Sequence, residues 1–418
     1  MPTITSVKGR LIFNSRGKKS IEVDVVSDDK FLGRACAPSG ASVGSHEVSS
    51  FVNNNPSLSL EIFNKYSSKF IGVDSSNPES VYKIIKSIDN SDSFSSLGGS
   101  VAYAISMAAV DSASKSLDIP LFKLLKPSGP YKFPYPLGNI IGGGAHAGPG
   151  TPDIQEVLSC PVGARSIMEA LELNFSVHNQ VRIILEETDR EFTYGKGDEG
   201  AWAPHVNNEE AITIVSKAIE RLGLDLGKDV ALGIDFASSS FWDRTTKKYN
   251  YSRQNIIRNT DQQINYVNEL IQNFKLLYVE DPVNEEDFES MASITKSNNN
   301  CIVTGDDMLV TNEERVKVAS RYGACTGAIL KVNQAGTLYD ALKFVSECDK
   351  SRFNIITSHR SGESIDSQIA HIAISTSSKM IKTGVIGGER VAKLNELLRI
   401  SEYSLIEGMA ELSSTYHE

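Results

Sequence analysis

The chain has 418 residues, of which 40% are hydrophobic and 22% charged, and its net charge is −10. That length holds a large barrel plus a smaller domain, and the acidic balance speaks against general nucleic-acid affinity, which needs clustered Lys and Arg to neutralise phosphates. No apolar run approaches the roughly 18 residues of a membrane helix, so no membrane partner is expected. Five cysteines without a C-x-x-C pair fit buried thiols in a reducing compartment better than disulfides or zinc. The start, MPTITSVKGRLIF, lacks the apolar core and cleavage site of a signal peptide, and a cytoplasmic location is expected.

In chain order, ITSVKGRLIF and SIEVDVVS alternate like antiparallel strands, whereas VYKIIKSI and VAYAISMAAVDSASKSL have the apolar spacing of helices. Residues 49–100 are rich in Ser and Asn yet keep too many apolar side chains to be disordered. KPSGPYKFPYP, residues 126–136, has the composition of an ordered connection. It predicts a boundary between an N-terminal domain, 1–126, and a C-terminal domain, 137–418. GNIIGGG and DIQEVLSCPVG then read as two strands, followed by two long helices, the first with a capping box at Ser166 and Glu169. From DVALGIDFA onward strand and helix alternate, with capping boxes expected at Thr260 and Gln263 and at Thr311 and Glu314. The expected fold is α/β: a C-terminal ββαα(βα)6 TIM-like barrel with a smaller N-terminal α+β domain.

The most regular feature lies between Lys275 and Lys382. Five β-branched apolar runs, LLYVED, CIVTGDD, GAILKVN, NIITSHRSG and MIKTG, recur about every 25 residues, the length of a strand, a helix and the two connections. They end on Glu280, Asp306, Lys331, His359 with Arg360, and Lys382; ALGID before them ends on Asp235. Closing such strands into a barrel brings their C-terminal ends to one mouth. Asp235, Glu280 and Asp306 are then three carboxylates that repel unless a cation neutralises them, and hard oxygen ligands favour Mg²⁺. Any one of them alone reads as an ordinary strand-capping acid. The following ends are cationic, so the mouth is expected to have an acidic half and a basic half. Lys331 beside another lysine, partly desolvated, has its pKa pushed down and becomes available as a base. Arg360 and Ser361 offer a planar donor fork and a hydroxyl for a phosphate or carboxylate. Such a mouth suits abstraction of a proton next to a carboxylate whose developing charge is absorbed by metal ions.

SGASVGSHE (39–47), GGAHAG (143–148), Gln155 with Glu156, GDEGAWAP (197–204), VEDP (279–282), GDD (305–307), LKVNQ (330–334), SHRSGE (358–363) and IKTG (381–384) follow one another along the chain. In that order they resemble the enolase family, phosphopyruvate hydratase, and the likeness covers nearly the whole chain. The resemblance implies reversible dehydration of 2-phosphoglycerate to phosphoenolpyruvate, with Lys331 removing the C2 proton and Glu199 acting as the acid that releases the C3 hydroxyl. It implies that Asp235, Glu280 and Asp306 bind one Mg²⁺, and that Ser42 joins a second as its Gly-rich loop closes over the substrate. Lys382 would contact the substrate carboxylate, Arg360 and Ser361 the phosphate, and His146, Gln155, Glu156 and His359 would line the pocket. A homodimer or higher homo-oligomer is implied as well. GVIGGER, 384–390, is similar to archaeal-type members. Departures from the family pattern are Asn14-Ser15-Arg16-Gly17-Lys18-Lys19, in a segment that borders the subunit interface in relatives, Val43 in the closing loop, and Ala201 beside the acid.

Two other functions compete: another acid dehydratase of the same superfamily, and a non-catalytic binding protein derived from an enolase. The first usually places K-x-K on the second barrel strand, where DIQEVLSCPVG has no lysine. The second is disfavoured by intact candidates at every catalytic position. The glycine-rich stretches GGGAHAGPG and SGASVGSHE, read alone, are flexible loops, and neither fits a P-loop. His178, His205 and His371 sit in no motif and receive no role.

Overall fold

The computed structural model describes residues 1–41 and 44–412. Its first unit opens with an antiparallel meander of β1 (Ile4–Phe13), β2 (Lys19–Ser27) and β3 (Phe31–Cys36). Period-two alternation sets its faces: Ile21, Val23 and Val25 are fully buried, while Glu22 and Asp24 pair with Arg10, and Asp24 also with Arg34. Helices α1 (Pro56–Tyr66) and α2 (Pro78–Ile88) each start at an asparagine cap, Asn55 and Asn77, followed by proline. Helix α3 (Gly99–Ser116), rich in Ala and Ser, is buried along most of its length and packs against β2 and β3. The short α4 (Leu121–Leu125) completes the unit.

The second unit begins with β4 (Tyr131–Phe133), β5 (Tyr135–Gly142), β6 (Glu156–Cys160), α5 (Ile167–Thr188), α6 (Asn208–Arg221) and β7 (Ala231–Asp235). A small antiparallel sheet, β8 (Trp242–Asp243), β9 (Lys248–Tyr251) and β10 (Ile256–Arg258), leads into α7 (Thr260–Phe274). Alternation then runs through β11 (Tyr278–Glu280), α8 (Phe288–Ser297), β12 (Ile302–Gly305), α9 (Glu313–Tyr322) and β13 (Gly327–Leu330). It ends with α10 (Val332–Ala335), α11 (Leu338–Ser351), β14 (Asn354–Ser358), α12 (Gln368–Ser375), β15 (Met380–Lys382), α13 (Gly388–Ile400) and β16 (Ile406–Met409). The barrel closes in the order β11-β12-β13-β14-β15-β5-β6-β7. Only β6 runs antiparallel to its barrel neighbours. This is the expected ββαα(βα)6 barrel.

Local details depart from the sequence reading. The proline-rich 126–136 stretch is more than a connection, because it contains β4, which pairs with β16, and the start of β5. Pro136 is tolerated there because Tyr135 donates to Lys379 O on the β15 side and pairing with β6 begins at Gly138. Two expected capping boxes move to asparagines: Asn259 with Gln262 forms the box of α7, and Asn312 caps α9. Thr311 instead accepts from Lys331 N and donates to Gln334 Oε1. At α5 the Ser166 side chain caps as expected, but the Glu169 carboxylate reaches Arg165 N rather than Ser166 N. All five cysteines are buried free thiols.

Candidate active site

Strand register builds the acidic side of the mouth. Glu280 lies opposite Asp235 on β7 and Thr304 on β12, and Asp306 follows two residues after Thr304. Lys382, at the end of β15, reaches across the barrel: its Nζ is 2.7 Å from Glu156 Oε2, 2.8 Å from Asp235 Oδ2 and 2.7 Å from Glu280 Oε2. Lys331 pairs with Asp306. The expected division into an acidic half and a basic half therefore fails, because a closed barrel lets a long lysine side chain cross to the opposite strands. The expectation of a neutral Lys331 fails as well in this state: burial lowers its pKa most, but the Asp306 and Glu280 carboxylates together hold it above its ordinary value. Lys382 is likewise raised well above its ordinary value, its three carboxylates overcoming burial.

Glu199 comes from the loop between α5 and α6, and close backbone packing fixes it. Gly200 sits at φ +81°, where a Cβ would lie 2.2 Å from Ile386 O; Gly384, at φ +72°, would place one 2.8 Å from Glu199 O. Only glycine fits either position. Asn139 Nδ2 donates to Glu199 Oε2 at 3.2 Å, His359 Nε2 stands 3.2 Å from the same oxygen, and His146 Nδ1 lies 3.3 Å from Glu156 Oε1. Against the upward push of burial, His359 and His146 hold the Glu199 carboxyl well below its usual range. Burial and the charge of Glu199 push Glu156 up to about 7. Of these two neighbouring carboxyls, Glu156 therefore takes up a proton more readily than Glu199.

The other expected residues converge here. Gln155 Nε2 donates to Asp235 Oδ2 at 3.1 Å, and Ser361 and Arg360 line the same cavity as His146, Glu156, Glu199, Lys331, His359 and Lys382. The Arg360 guanidinium meets Glu47 of the N-terminal unit at 2.9 and 3.0 Å. Ser42 and Val43 lie outside the described residues. The 14–18 turn docks on the barrel unit, with Ser15 N donating to Glu363 O and Arg16 Nε lying 3.1 Å from Asp198.

The residues present suit a hard divalent cation. Among the described residues Glu280 Oε1 is buried without a hydrogen-bond partner, and burial together with Asp235 pushes the Glu280 carboxyl up to about 8; a buried acid in this condition gains from a nearby positive charge. Among the described residues, the His and carboxylate groups drawn together within 4.8 Å are His146 with Glu156 and Glu199, and Asp281 with Asp306 and Asp307, so Asp306 belongs to one such group while Asp235 and Glu280 do not. Asp281 already accepts from Asp306 N and Asp307 N.

Comparison with known proteins identifies the family. The profile of the enolase N-terminal domain matches residues 4–125, and that of the enolase C-terminal TIM barrel domain matches 130–411. The chain belongs to the enolase family. Enolases of Methanosphaera stadtmanae and Methanothermobacter thermautotrophicus are each 43% identical over 411 residues, 98% of this chain and 99% of theirs. The enolase of Archaeoglobus fulgidus is 42% identical over 399 residues, 96% of this chain and 97% of its own. Family membership makes the protein a carbon–oxygen lyase, a phosphopyruvate hydratase interconverting 2-phosphoglycerate and phosphoenolpyruvate, and implies Mg²⁺. No helix of the described residues is long and apolar enough to cross a membrane.

Several contributing residues escaped the sequence reading. Asn139 touches Glu199, and His178 Nε2 is 3.0 Å from Gly200 O. Arg253 donates to Thr151 O, Pro152 O and Gly144 O, tying down the loop that carries His146. None of these three sits at a barrel strand's C-terminal end, so the beat of strand ends offers no signal for them. Glu47 and Gln334 lie inside motifs that carried the resemblance, and their positions were the available clue.

Proposed function

We propose that Lys331 is the base and Glu199 the acid of the dehydration, and that Asp235, Glu280 and Asp306 hold one Mg²⁺ while Ser42 contributes to a second. The observation that supports this most is the pairing of Lys331 with Asp306 across from the Glu199–Glu156 pair, on opposite walls of one buried cavity. When bound, Mg²⁺ supplies positive charge against the substrate's carboxylate oxygens as the C2 proton leaves. Were Asp306 to hold a cation, Lys331 would lose its ion-pair partner, and burial, Arg360 and Lys382 would lower its pKa against the pull of Glu280. Lys331 Nζ then accepts the C2 proton. On the opposite wall, Glu199 gives a proton to the C3 oxygen, the C3–O bond breaks, and water leaves. Arg360, exchanging Glu47 for the substrate, and Ser361 hold the phosphate; Lys382 faces the carboxylate; His146, Gln155, Glu156 and His359 complete the lining. The same reading includes domains at 1–126 and 137–418, a homodimer or higher homo-oligomer, and a cytoplasmic location.

The test is a phosphoenolpyruvate absorbance assay with Mg²⁺ and with chelator, alongside exchange of the C2 proton in D₂O. Lys331→Ala should lose both exchange and turnover, by roughly 10²- to 10⁴-fold, while Glu199→Gln should lose dehydration and keep exchange. Full turnover in both variants would overturn the assignment.

A further inference from the structure

Arg390, in α13, is fully buried, and all four of its terminal N–H groups have acceptors within reach. Its Nη1 lies 2.8 Å from His359 Nδ1 and donates to Arg360 O at 2.6 Å. Its Nη2 donates to Ser361 O at 2.7 Å and Asp198 O at 3.2 Å. A guanidinium has no lone pair to accept with and stays protonated. His359 Nδ1 must therefore be the acceptor, which leaves the ring proton on Nε2. That nitrogen lies 3.2 Å from Glu199 Oε2, at ion-pair distance though not aligned as a hydrogen bond, and it is buried with no hydrogen-bond partner among the described residues.

We infer that Arg390 is a positioning residue that locks His359 in its Nε2–H tautomer, so that the imidazole turns its N–H toward Glu199 Oε2 and favours the other carboxylate oxygen as carrier of the acid proton. Oε2 accepts from Asn139 Nδ2 and faces His359 Nε2 at 3.2 Å, while Oε1 lies on the side of His146, 3.7 Å from its Nδ1. The opposite tautomer would place a lone pair against Glu199, and the two acceptors would repel. The same guanidinium ties the acid loop, through Asp198 O, to the strand end that presents Arg360 and Ser361, so acid and anion holders share one rigid support. Consistent with a neutral ring, burial and then the Arg390 charge bring His359 down to about 4, although Glu199 pulls the other way. Its other charged neighbour, Glu363, is itself engaged by Lys393 at 3.2 Å.

The tautomer follows from geometry alone; its kinetic consequence rests on the reading of Glu199 as the acid. The experiment uses the full chain with Mg²⁺ and ¹⁵N-labelled histidine rings, the His359 signals being assigned by comparison with His359→Gln. In the unmutated protein, His359 should show a protonated Nε2 and a bare Nδ1. Arg390→Met should lose that signature and cost roughly 10- to 100-fold in kcat with KM for 2-phosphoglycerate nearly unchanged, whereas Arg390→Lys, which keeps a donor, should retain the signature and most of the rate. A bare Nε2 in the unmutated protein overturns the inference without any variant. So does a folded Arg390→Met that keeps both the Nε2–H signal and full kcat. Full dehydration by Glu199→Gln would instead sink the acid assignment and leave the tautomer untouched.

Discussion

The two ends of the barrel are equally buried and do opposite work. At the floor, Leu137, Leu158, Cys160, Ala231, Ile302, Ile329, Ile356 and Met380 pack into one apolar cluster, and their removal from water stabilises the fold. At the mouth, where β6 begins and its parallel neighbours end, stand Glu156, Asp235, Glu280 and Lys382, each no more than 3% exposed. There burial penalises every charge, and the cluster persists because lysines and carboxylates neutralise one another. The floor is finished on folding; the mouth keeps acids whose proton affinities are raised until a cation or substrate arrives.

The largest contrast should come from deleting one residue at each end. Lys382→Ala leaves Glu156, Asp235 and Glu280 without their shared cation, and loss of one partner of a buried pair costs about 3–5 kcal/mol. Denaturant unfolding in chelator should show that loss, and Mg²⁺ should restore part of it. Ile356→Ala, at a fully buried floor position, should cost about 2–5 kcal/mol through the cavity it leaves, with no rescue by Mg²⁺. Equal rescue of both would erase the distinction between the two ends.

A smaller effect concerns pH. Glu280, pushed up by burial and by Asp235 from 4.5 to about 8, holds its proton more tightly in the folded than in the unfolded chain. The metal-free protein should therefore lose stability as pH rises from about 4.5 to about 8, since the folded state binds more protons across that window. Glu280→Gln should flatten this part of the melting-temperature profile while abolishing activation by Mg²⁺. A profile with unchanged slope would show that the mouth stores no such penalty.

The smallest effect lies on the outer face of the N-terminal sheet. There Arg10 and Arg34, against the push of burial, hold Asp24 down at about 2. Asp24→Asn should cost at most about 1 kcal/mol. Because the folded pKa is the lower one, that contribution is present above about 4 and disappears as pH falls toward 2, the reverse of Glu280. Thermal melts of the variant at pH 7 and pH 2.5 would test the difference.

Legibility in the sequence followed from locality. Strand ends carrying Asp235, Glu280, Asp306, Lys331, His359 and Lys382 were readable because each lies at the end of an apolar run, and a barrel has one mouth. Arg390 and His178 were not, because they lie on helices whose inward faces look like ordinary packing positions. The helix caps show the same limit on a small scale: a threonine and an asparagine stood side by side at both α7 and α9, and the cap fell to the asparagine each time. Thr311 was spared for Lys331 and Gln334, which follow the neighbouring strand β13, contacts that no local pattern contains.

The amino-acid sequence alone determined the barrel, its ββαα start, the convergence of acids and bases at one end, and through its ordered motifs the enolase resemblance, because periodicity and spacing are properties of the chain itself. Tertiary structure alone decided which charges neutralise which. Lys382 belongs with the acids of β6, β7 and β11, Lys331 with Asp306, and Arg390 with His359; the first set depends on closure of the barrel, the second on the register of neighbouring strands and the third on how α13 docks. Protonation is set by such distances and by burial, so the charge state of the mouth could be read only after the chain was folded.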